Sequence, residues 1–409
     1  MIYFDNNATT FMSPEVKQKM LEWTNRGNPS ASYESAQAAQ KMIKLFRARI
    51  GKVCGFNPCC NGEDTPVGPD QYKIIFTSGA SESNCTLIRS IVDSYARILS
   101  KTPHIVASAY EHKSILLLLE CLEDRGDIEL TLVKPVRGII VPEFIARAIR
   151  PNTCLAVVMH ANNETGAIND IRAIGKVCHS NGVPFHTDAV QTFGKYPPRP
   201  VDDNVDSFSV SFHKMGAPPG IGALVVKRAL LEGYKLDPLI FGTQNDGLRG
   251  GTENLPGIGA ASLAFEIAMR DRNDKNAKLG ALKREILTCL IPLGIQWLDD
   301  YVASPRPGTK IVIISPKQSL PNTIMLAAIN ACNKKMKAEL EKYNIIISVG
   351  SACNTNSRDP SHVLDAMEIP TDLMGGTIRV SLGDSNTSAE VKKFCVAFAT
   401  AFKSVSSRK

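Results

Sequence analysis

The chain has 409 residues, of which 44% are hydrophobic and 21% are charged, and this usage excludes a disordered, collagen-like or coiled-coil protein. Its 47 basic and 40 acidic side chains leave a net charge of +7. These charges are scattered and do not form the basic stripe that nucleic acid binding requires. No stretch approaches the ~18 consecutive apolar residues of a membrane span. At ~100–200 residues per domain, the length predicts two or three domains, or one large α/β domain with a satellite.

The 11 cysteines are spread along the whole length, and none forms the paired CxxC spacing of a zinc site. An odd and scattered set favours a reducing compartment over a disulfide framework. The seven histidines form no HExxH motif, so no metal site is predicted. The first residues, Met1 to Asp5, lack the basic and apolar regions of a secretory signal. We therefore expect a cytoplasmic protein.

Short β-branched runs alternate with helical patterns through the middle of the chain. Because strands separated by helix-length segments form βα units, we predict an α/β fold with a mainly parallel sheet. Residues 57–71 are rich in Pro, Gly, Asn and Asp, which predicts an exposed loop, and a helix is predicted from Ser81 onward. The predicted strands span residues 74–77, 104–108, 155–160, 183–186, 207–211 and 223–226.

The last third of the chain has a different pattern. A helix is predicted from about Pro256, and from about residue 270 the pattern becomes that of a compact α+β module. This module has predicted strands near 294–298, 311–314 and 345–349, a helix near 334–342 and a final helix. We predict a large domain over residues 15–260 and a small α+β domain formed by residues 1–14 and 261–409.

An aspartate and a lysine follow two of the predicted strands. Asp188 comes after the strand at 183–186, and Lys214 comes after the strand at 207–211. Strand ends of a parallel sheet are where ligands bind. A carboxylate that keeps a pyridine nitrogen protonated and a lysine that forms a Schiff base would suit a pyridoxal phosphate site. The alternative is an ordinary aspartate at a strand end and an exposed lysine.

A run of small residues, Thr77 to Asn84, ends one predicted strand and begins the next helix. Exposed N–H groups, a hydroxyl and the positive end of a helix predict a phosphate cradle. The alternative is a plain helix cap, since Ser with Glu nearby is a common capping arrangement.

Two further polar positions follow strands. Asn163 lies in the segment Asn162 to Gly166, where an amide could donate to a ring oxygen or a carboxylate, or could simply belong to a polar turn. His112 follows the strand at 104–108, where an imidazole could stack on a flat ring or have a structural role alone.

A cysteine and an arginine near the C-terminus are also candidates. Cys353 follows a predicted strand within small and polar residues, which suits an exposed nucleophile, although a buried small residue is the alternative. Arg379 lies in a strand-like run, where its guanidinium could clamp a substrate carboxylate or form a surface salt bridge.

These segments occur in the order and spacing of one family. The chain resembles the NifS-like cysteine desulfurases, which are class V aminotransferase-like enzymes of pyridoxal phosphate fold type I. The resemblance runs from Tyr3 nearly to the C-terminus. It rests on the motifs YFDNNATT at 3–10, GNPS at 27–30, FTSGASESN at 76–84, EH at 111–112, MHANNE at 159–164, HTDAVQ at 186–191, SFHK at 211–214, RGGTEN at 249–254, LPNT at 320–323, GSAC at 350–353, DPSHVL at 359–364 and RVSLG at 379–383.

The resemblance implies a role for each candidate residue. Lys214 would form the Schiff base with pyridoxal 5'-phosphate and shuttle protons, and Cys353 would be the nucleophile that takes the sulfur. Asp188 would pair with the pyridine nitrogen, Gln191 with the ring hydroxyl, and His112 would stack on the ring.

The remaining implied roles concern the phosphate and the substrate. Asn163 and Arg379 would bind the substrate carboxylate. The phosphate would be held by residues of both subunits of a homodimer: Ala80, Ser81, Ser211, His213 and, reaching in from the second subunit, Thr252.

The implied reaction converts L-cysteine to L-alanine and leaves a persulfide on Cys353. The sulfur would pass to an acceptor or scaffold protein for iron–sulfur cluster or thio-cofactor assembly, with neither nucleic acid nor a membrane as partner. Two alternatives stay open. One is a related pyridoxal phosphate enzyme, such as a selenocysteine lyase or a β-eliminating lyase. The other is a non-catalytic member of the family that acts as a binding scaffold.

Four positions depart from the family pattern and indicate a divergent member. The family often has a histidine where Tyr33 stands, a lysine at Pro219, a glutamate at Asn245 and a basic residue at Asp384.

Overall fold

The computed structural model describes residues 1–58, 71–349 and 361–406. The strands in these ranges are β1 (Ile2–Tyr3), β2 (Asn57–Pro58), β3 (Gln71–Thr77), β4 (His104–Ser108), β5 (Glu129–Val133), β6 (Thr153–Val157), β7 (Phe185–Asp188), β8 (Ser207–Ser211), β9 (Gly222–Lys227), β10 (Ile295–Trp297), β11 (Ile311–Ile313), β12 (Thr323–Ala328), β13 (Ile345–Ile346) and β14 (Thr377–Ser381). The helices are α1 (Pro14–Glu22), α2 (Glu34–Cys54), α3 (Ala80–Leu99), α4 (Lys113–Asp124), α5 (Pro142–Ala148), α6 (Ile171–Ser180), α7 (Arg228–Tyr234), α8 (Leu255–Arg270), α9 (Arg272–Leu290), α10 (Leu298–Ala303), α11 (Asn333–Lys342), α12 (His362–Ala366), α13 (Thr371–Met374) and α14 (Ser388–Ser406).

A large sheet forms the centre of the described structure, with the strand order β2-β3-β9-β8-β7-β6-β4-β5. Within it, β9 runs antiparallel to its neighbours β3 and β8, and the other neighbouring pairs are parallel. The predicted α/β fold with a mainly parallel sheet is therefore confirmed. The carboxyl ends of the parallel strands meet at one side of the sheet, here called the carboxyl edge, which is where such sheets bind ligands.

The central strands are buried on both faces, as expected for a parallel sheet covered by helices. Successive residues of β4 point to opposite faces. Val106 packs in one apolar cluster with Phe46 of α2 and Phe265 of α8. Ile105 packs in a second cluster, on the other face, with Leu87 of α3. Rigid layers on both faces thus fix the positions of the strand ends.

A smaller sheet with the order β10-β11-β12-β14 lies in the last third of the chain. Residues of α9, α11 and α14 form its core, which also contains Phe4 from the N-terminal segment. The strand β1 pairs with β13 in parallel, which ties the start of the chain to this unit. We propose the domain division predicted above, 15–260 against 1–14 with 261–409, because the N-terminal segment packs with the smaller sheet.

A disulfide joins Cys289 of α9 to Cys395 of α14, with a Cα–Cα distance of 6.0 Å. The sequence pattern favoured free thiols, so this bond is a departure from that expectation. It arises because two packed helices place the two side chains opposite each other, and spatial neighbours of this kind are not visible in sequence spacing. Among the described helices, none is both long and apolar enough to cross a membrane.

Candidate active site

A cavity of about 550 Å³ opens at the carboxyl edge of the large sheet. Segments that follow β3, β4, β6, β7 and β8 line it, together with Asn7 and Ala8 of the N-terminal segment. Ten residues predicted from the sequence are brought together here: Ala80, Ser81, His112, Asn163, Asp188, Gln191, Ser211, His213, Lys214 and Arg379.

Lys214 lies on a 3₁₀ turn, Phe212–Met215, that directly follows β8. Gly216 ends this turn with a φ of 86°, a left-handed conformation that favours glycine. The Lys214 Nζ donates to the carbonyl oxygens of Asn7 and Ala8, at 2.7 and 2.6 Å. The turn and the N-terminal segment together hold the amine at the cavity wall.

Asp188 is the buried last residue of β7, and its carboxylate is held from two sides. The Oδ1 accepts the backbone N–H of Val190 at 2.9 Å, and the Oδ2 accepts Asn84 Nδ2 at 3.3 Å. Because Asn84 donates through Nδ2, its Oδ1 accepts from His186 Nε2, which is 3.1 Å away. Burial lowers the pKa of His186 to about 3, so this imidazole is neutral. A fixed network therefore orients the Asp188 carboxylate.

His112 caps the N-terminus of α4. Its Nδ1 accepts the backbone N–H of Ser114 at 3.1 Å, so the neutral ring carries its hydrogen on Nε2. Burial lowers the pKa of His112 below its ordinary value; the nearby Asp188 carboxylate opposes this shift and the Lys214 ammonium adds to it. The structure thus provides a neutral imidazole whose Nε2–H is free of the capping bond.

The start of α3 forms one end of the cavity, where Ala80 and Ser81 lie. N–H groups in the first turn of a helix have no intrahelical acceptor, and the helix dipole adds positive potential there. A Cβ built on Gly222 of β9 would lie 2.5 Å from Gly79 Cα, so a larger residue at 222 would push β9 away from this helix start. His213 also lines this region, and burial and Lys214 lower the pKa of its ring to about 4.

An ion pair fastens a second loop to the start of α3. Arg249 Nε lies 3.0 Å from Glu82 Oε1, and Glu82 Oε2 accepts the Ser78 N–H at 2.7 Å. Burial alone would raise the pKa of Glu82, but the hydrogen bonds from Arg249 and Ser78 hold it below its ordinary value. Thr252, three residues after Arg249, is exposed and does not line the cavity of its own chain.

Arg379 of β14 is 3% exposed and lines the cavity. Its two terminal nitrogens donate to the Asn163 carbonyl oxygen at 3.0 Å and to Asp5 Oδ1 at 2.6 Å. Its Nε is buried and has no hydrogen-bond partner among the described residues. The guanidinium is thus held in one orientation at the cavity wall, which suits an anionic group in the cavity.

The predicted nucleophile Cys353 lies outside the described residues. Of the four departures from the family pattern, Pro219 lines the cavity, whereas Tyr33 and Asn245 do not. Asp384 pairs with Lys275, with an oxygen–nitrogen distance of 3.1 Å. The lysine partner explains why an acidic residue is tolerated at position 384.

Three residues with supporting contacts were missed by sequence reasoning: Asn84, Asn7 and Asp5. Asn84 connects Asp188 to α3, and Asp5 orients Arg379. The carbonyl oxygen of Asn7 accepts a hydrogen bond from the Lys214 amine. All three fall within motifs that the resemblance had identified without assigning a role to each position. Their place in these motifs was the available signal, but their partners are more than a hundred residues away in the chain.

Replacement of Asn84 by Leu is expected to weaken cofactor binding by about 10–100-fold, because a hydrogen bond to a charged group contributes about 1.5–3 kcal/mol. The Asp188 carboxylate would lose its contact with α3, while the bulk of the side chain would be kept. Fluorescence titration of the apoprotein with pyridoxal 5'-phosphate measures the effect. Ser90→Ala, a buried change on α3 outside the cavity, is the matched control. Equal affinities of the two variants would contradict the prediction.

A family model described as Aminotransferase class-V matches residues 2–394, so the chain belongs to the class V aminotransferases. Cysteine desulfurase IscS from Methanosarcina thermophila is 33% identical over 395 residues, which cover 96% of this chain and 89% of that protein. Cysteine desulfurase IscS from Clostridium botulinum strain Hall is 34% identical over 393 residues, covering 95% and 91%. Within its family, the chain is a member of the NifS-like cysteine desulfurases, which depend on pyridoxal 5'-phosphate.

Solved structures agree with this assignment. A structure described as a NifS-like protein superposes with a TM-score of 0.83 at 28% identity, covering 99% of this chain and 100% of that chain. Another, described as SspA in complex with cysteine, has a TM-score of 0.76 at 31% identity, covering 95% of this chain and 100% of that chain.

Proposed function

We propose that the protein is a pyridoxal phosphate-dependent desulfurase that converts L-cysteine to L-alanine and collects the sulfur as a persulfide on Cys353. The observation that carries this proposal is the cavity at the carboxyl edge, where Lys214, Asp188, His112 and Arg379 meet. An amine, a carboxylate, a neutral imidazole and a guanidinium are the groups that such a reaction needs, and four separate segments of the chain bring them together.

The cavity residues fit pyridoxal 5'-phosphate. Ala80 and Ser81 at the start of α3, with Ser211 and His213 opposite, would hold the phosphate. Asp188 would pair with the ring nitrogen, and Lys214 would bind the cofactor covalently.

Several ring contacts complete this assignment. Gln191 would contact the ring hydroxyl and His112 would stack on the ring. When bound, the cofactor supplies an electron sink for the bond that breaks in the substrate.

Arg379 and Asn163 would bind the carboxylate of L-cysteine. Arg379 lines the cavity that an incoming carboxylate would enter, and its guanidinium would donate to that carboxylate. Asp5 keeps the guanidinium in place while the substrate enters and leaves.

Lys214 and His112 would carry out the proton transfers of the reaction. Lys214 is the only group we assign to the removal of the substrate α-proton, and it must lose its own proton first. The Lys214 amine donates hydrogen bonds to the carbonyl oxygens of Asn7 and Ala8. It would leave these two oxygens when it acts as the base. His112 is neutral and has an Nε2–H to donate.

The sulfur step balances without an external oxidant. The Cys353 thiolate attacks the sulfur of the substrate, a sulfur–sulfur bond forms, and the carbon–sulfur bond breaks with its electron pair left on carbon. That carbon takes a proton and becomes the methyl group of alanine. Cys353 keeps the transferred sulfur as a persulfide, which a thiol or an acceptor protein can remove.

Product analysis tests this function against the two alternatives. Incubation of the holoprotein with L-cysteine and a reductant should give alanine and sulfide in equal amounts. A β-eliminating lyase would give pyruvate and ammonia with the sulfide, a selenocysteine lyase would release alanine from selenocysteine and not from cysteine, and a binding scaffold would give no product. Each of these three outcomes would reject the proposal.

We further propose a homodimer in which Thr252 reaches the phosphate of the second subunit. This proposal is supported by the exposed position of Thr252 and by the ion pair that fastens its loop beside α3. A sulfur-acceptor or iron–sulfur scaffold protein as partner, and a cytoplasmic location, are proposed from the sequence alone.

Replacement of Arg379 by Lys is expected to raise the KM for L-cysteine by about 10–100-fold, because the ammonium cannot engage Asn163, Asp5 and a carboxylate together. The value of kcat should fall less than kcat/KM, since the change acts on binding. Steady-state alanine release measures both. Arg150→Lys, an exposed arginine paired with Glu129, serves as control. An unchanged KM in Arg379→Lys would remove the assigned carboxylate site.

A further inference from the structure

His362 lies in the wall of the active-site cavity, and none of the roles assigned above uses it. It is the first residue of α12, a short helix that packs against residues of both the large and the smaller sheet. Val363 of this helix packs in the apolar cluster of the large sheet, and Leu364 packs in a cluster with Met325 of the smaller sheet. Residue 362 is therefore anchored by packing on both sides.

One hydrogen bond connects this imidazole to the segment that bears His112. His362 Nε2 lies 2.9 Å from the carbonyl oxygen of Glu111, the residue directly before His112. A carbonyl oxygen only accepts, so Nε2 carries the hydrogen and donates it. The other nitrogen of His362, Nδ1, is buried and has no hydrogen-bond partner in the part of the chain that the structure describes.

The Glu111 position is held from the other side as well. Its Oε1 accepts the backbone N–H of Met159 at 2.6 Å and the hydroxyl of Ser108. The side chain of Glu111 is thus fixed to the ends of β4 and β6, while its carbonyl is fixed to α12. The Ser361 hydroxyl adds a parallel contact from the same turn to Glu164 Oε2 at 2.7 Å.

We propose that His362 is a positioning residue, which fixes the orientation of His112 through its hydrogen bond to the carbonyl of Glu111. The inference rests on the proposed role of His112. Among the described residues, four charged or titratable groups act on the pKa of His112: Asp188 from β7, Lys214 from the turn after β8, Glu164 from the segment after β6, and His362 from α12. The His362 ring also contributes to lowering the pKa of His112, after burial and Lys214.

Two variants separate the hydrogen bond from the titratable ring. His362→Gln keeps an N–H donor near the Glu111 carbonyl and removes the imidazole, whereas His362→Leu removes both. We expect kcat/KM for L-cysteine to fall by about tenfold in His362→Leu and to stay within about threefold of the wild type in His362→Gln. In both variants the pKa of His112 should rise, because the imidazole that helps to lower it is gone.

Nuclear magnetic resonance of histidine-labelled apoprotein measures the pKa of His112 and does not depend on turnover. The chain has seven histidines, so the resonance of His112 must be assigned. His112→Asn identifies the resonance of the ring. His179→Gln is the control, because that histidine is bonded to Asp206 and lies outside the cavity. A titration of His112 that is unchanged in both variants, or equal rates in Gln and Leu variants, would overturn the inference.

The failure of this inference is distinguishable from the failure of the proposed function. If the wild-type holoprotein releases alanine while the His362 variants leave His112 unchanged, His362 has no positioning role and the function stands. If His362→Leu is less stable in a thermal melt, the comparison between wild type and His362→Gln still decides, since Gln at this position must preserve the rate and shift the His112 titration.

Discussion

Lys214→Ala is expected to abolish the covalent attachment of pyridoxal phosphate and to lower alanine release from L-cysteine by at least about 10³-fold. The structure gives the reason: the amine of Lys214 lies in the cavity wall with Asp188 and His112, at the end of β8. Its two roles are to bind the cofactor and to remove the α-proton of the substrate. Among the described residues that line the cavity, Lys113 is the other amine, but it begins α4 and does not follow β8.

Mass spectrometry after borohydride reduction measures the first effect. The wild-type protein should carry the reduced cofactor on the peptide that contains Lys214, and Lys214→Ala should carry none. Lys113→Ala is the matched control, because Lys113 lines the same cavity and has no assigned role. Attachment that persists in Lys214→Ala, or that is lost in Lys113→Ala, would contradict the site.

Cys353→Ser is expected to keep the bound cofactor and its absorbance but to lower sulfide and alanine release by about 10³-fold or more. Serine at this position has nearly the same size, yet its hydroxyl is far less nucleophilic toward sulfur than a thiolate. Because Cys353 lies outside the described residues, this expectation rests on the position of the motif in the sequence. Cys332→Ser, a change at an exposed free cysteine, is the control. Unchanged sulfide release in Cys353→Ser would remove the assigned nucleophile.

The sheet and its carboxyl edge could be predicted from the sequence because buried parallel strands appear as β-branched and apolar runs. The boundaries were less accurate. The strand predicted at 155–160 is Thr153–Val157, since Val158 and Met159 remain buried beyond the strand and continue the apolar run. The strand predicted at 183–186 is shifted to Phe185–Asp188, which makes Asp188 the last residue of the strand.

For other elements, the sequence pattern indicated the wrong secondary structure or gave no indication of it. The strand β12, Thr323–Ala328, was not predicted, because its sequence TIMLAA contains Leu, Met and Ala, which favour helices. Burial of all six residues between neighbouring strands outweighs that preference. The predicted strand at 345–349 is reduced to Ile345–Ile346, which pairs with β1, and to an isolated bridge between Ser348 and Arg379. The antiparallel direction of β9 depends on its neighbours β3 and β8, which periodicity does not reveal.

The candidate site was predictable where a residue acts through its own chemistry and follows a strand, as Asp188 and Lys214 do. Residues that act through a partner were not predictable. Asn84 stands among small polar residues at the start of a helix, and only the folded chain places it beside Asp188 and His186. Asp5 and Arg379 likewise meet across most of the chain length.

A single turnover in the absence of reductant tests the central proposal most directly. The holoprotein is mixed with L-cysteine, and alanine and protein-bound persulfide are counted per chain. We predict one alanine and one persulfide for each subunit, with the extra sulfur on the peptide that contains Cys353. Pyruvate in place of alanine, or alanine without a persulfide on that peptide, would contradict the mechanism.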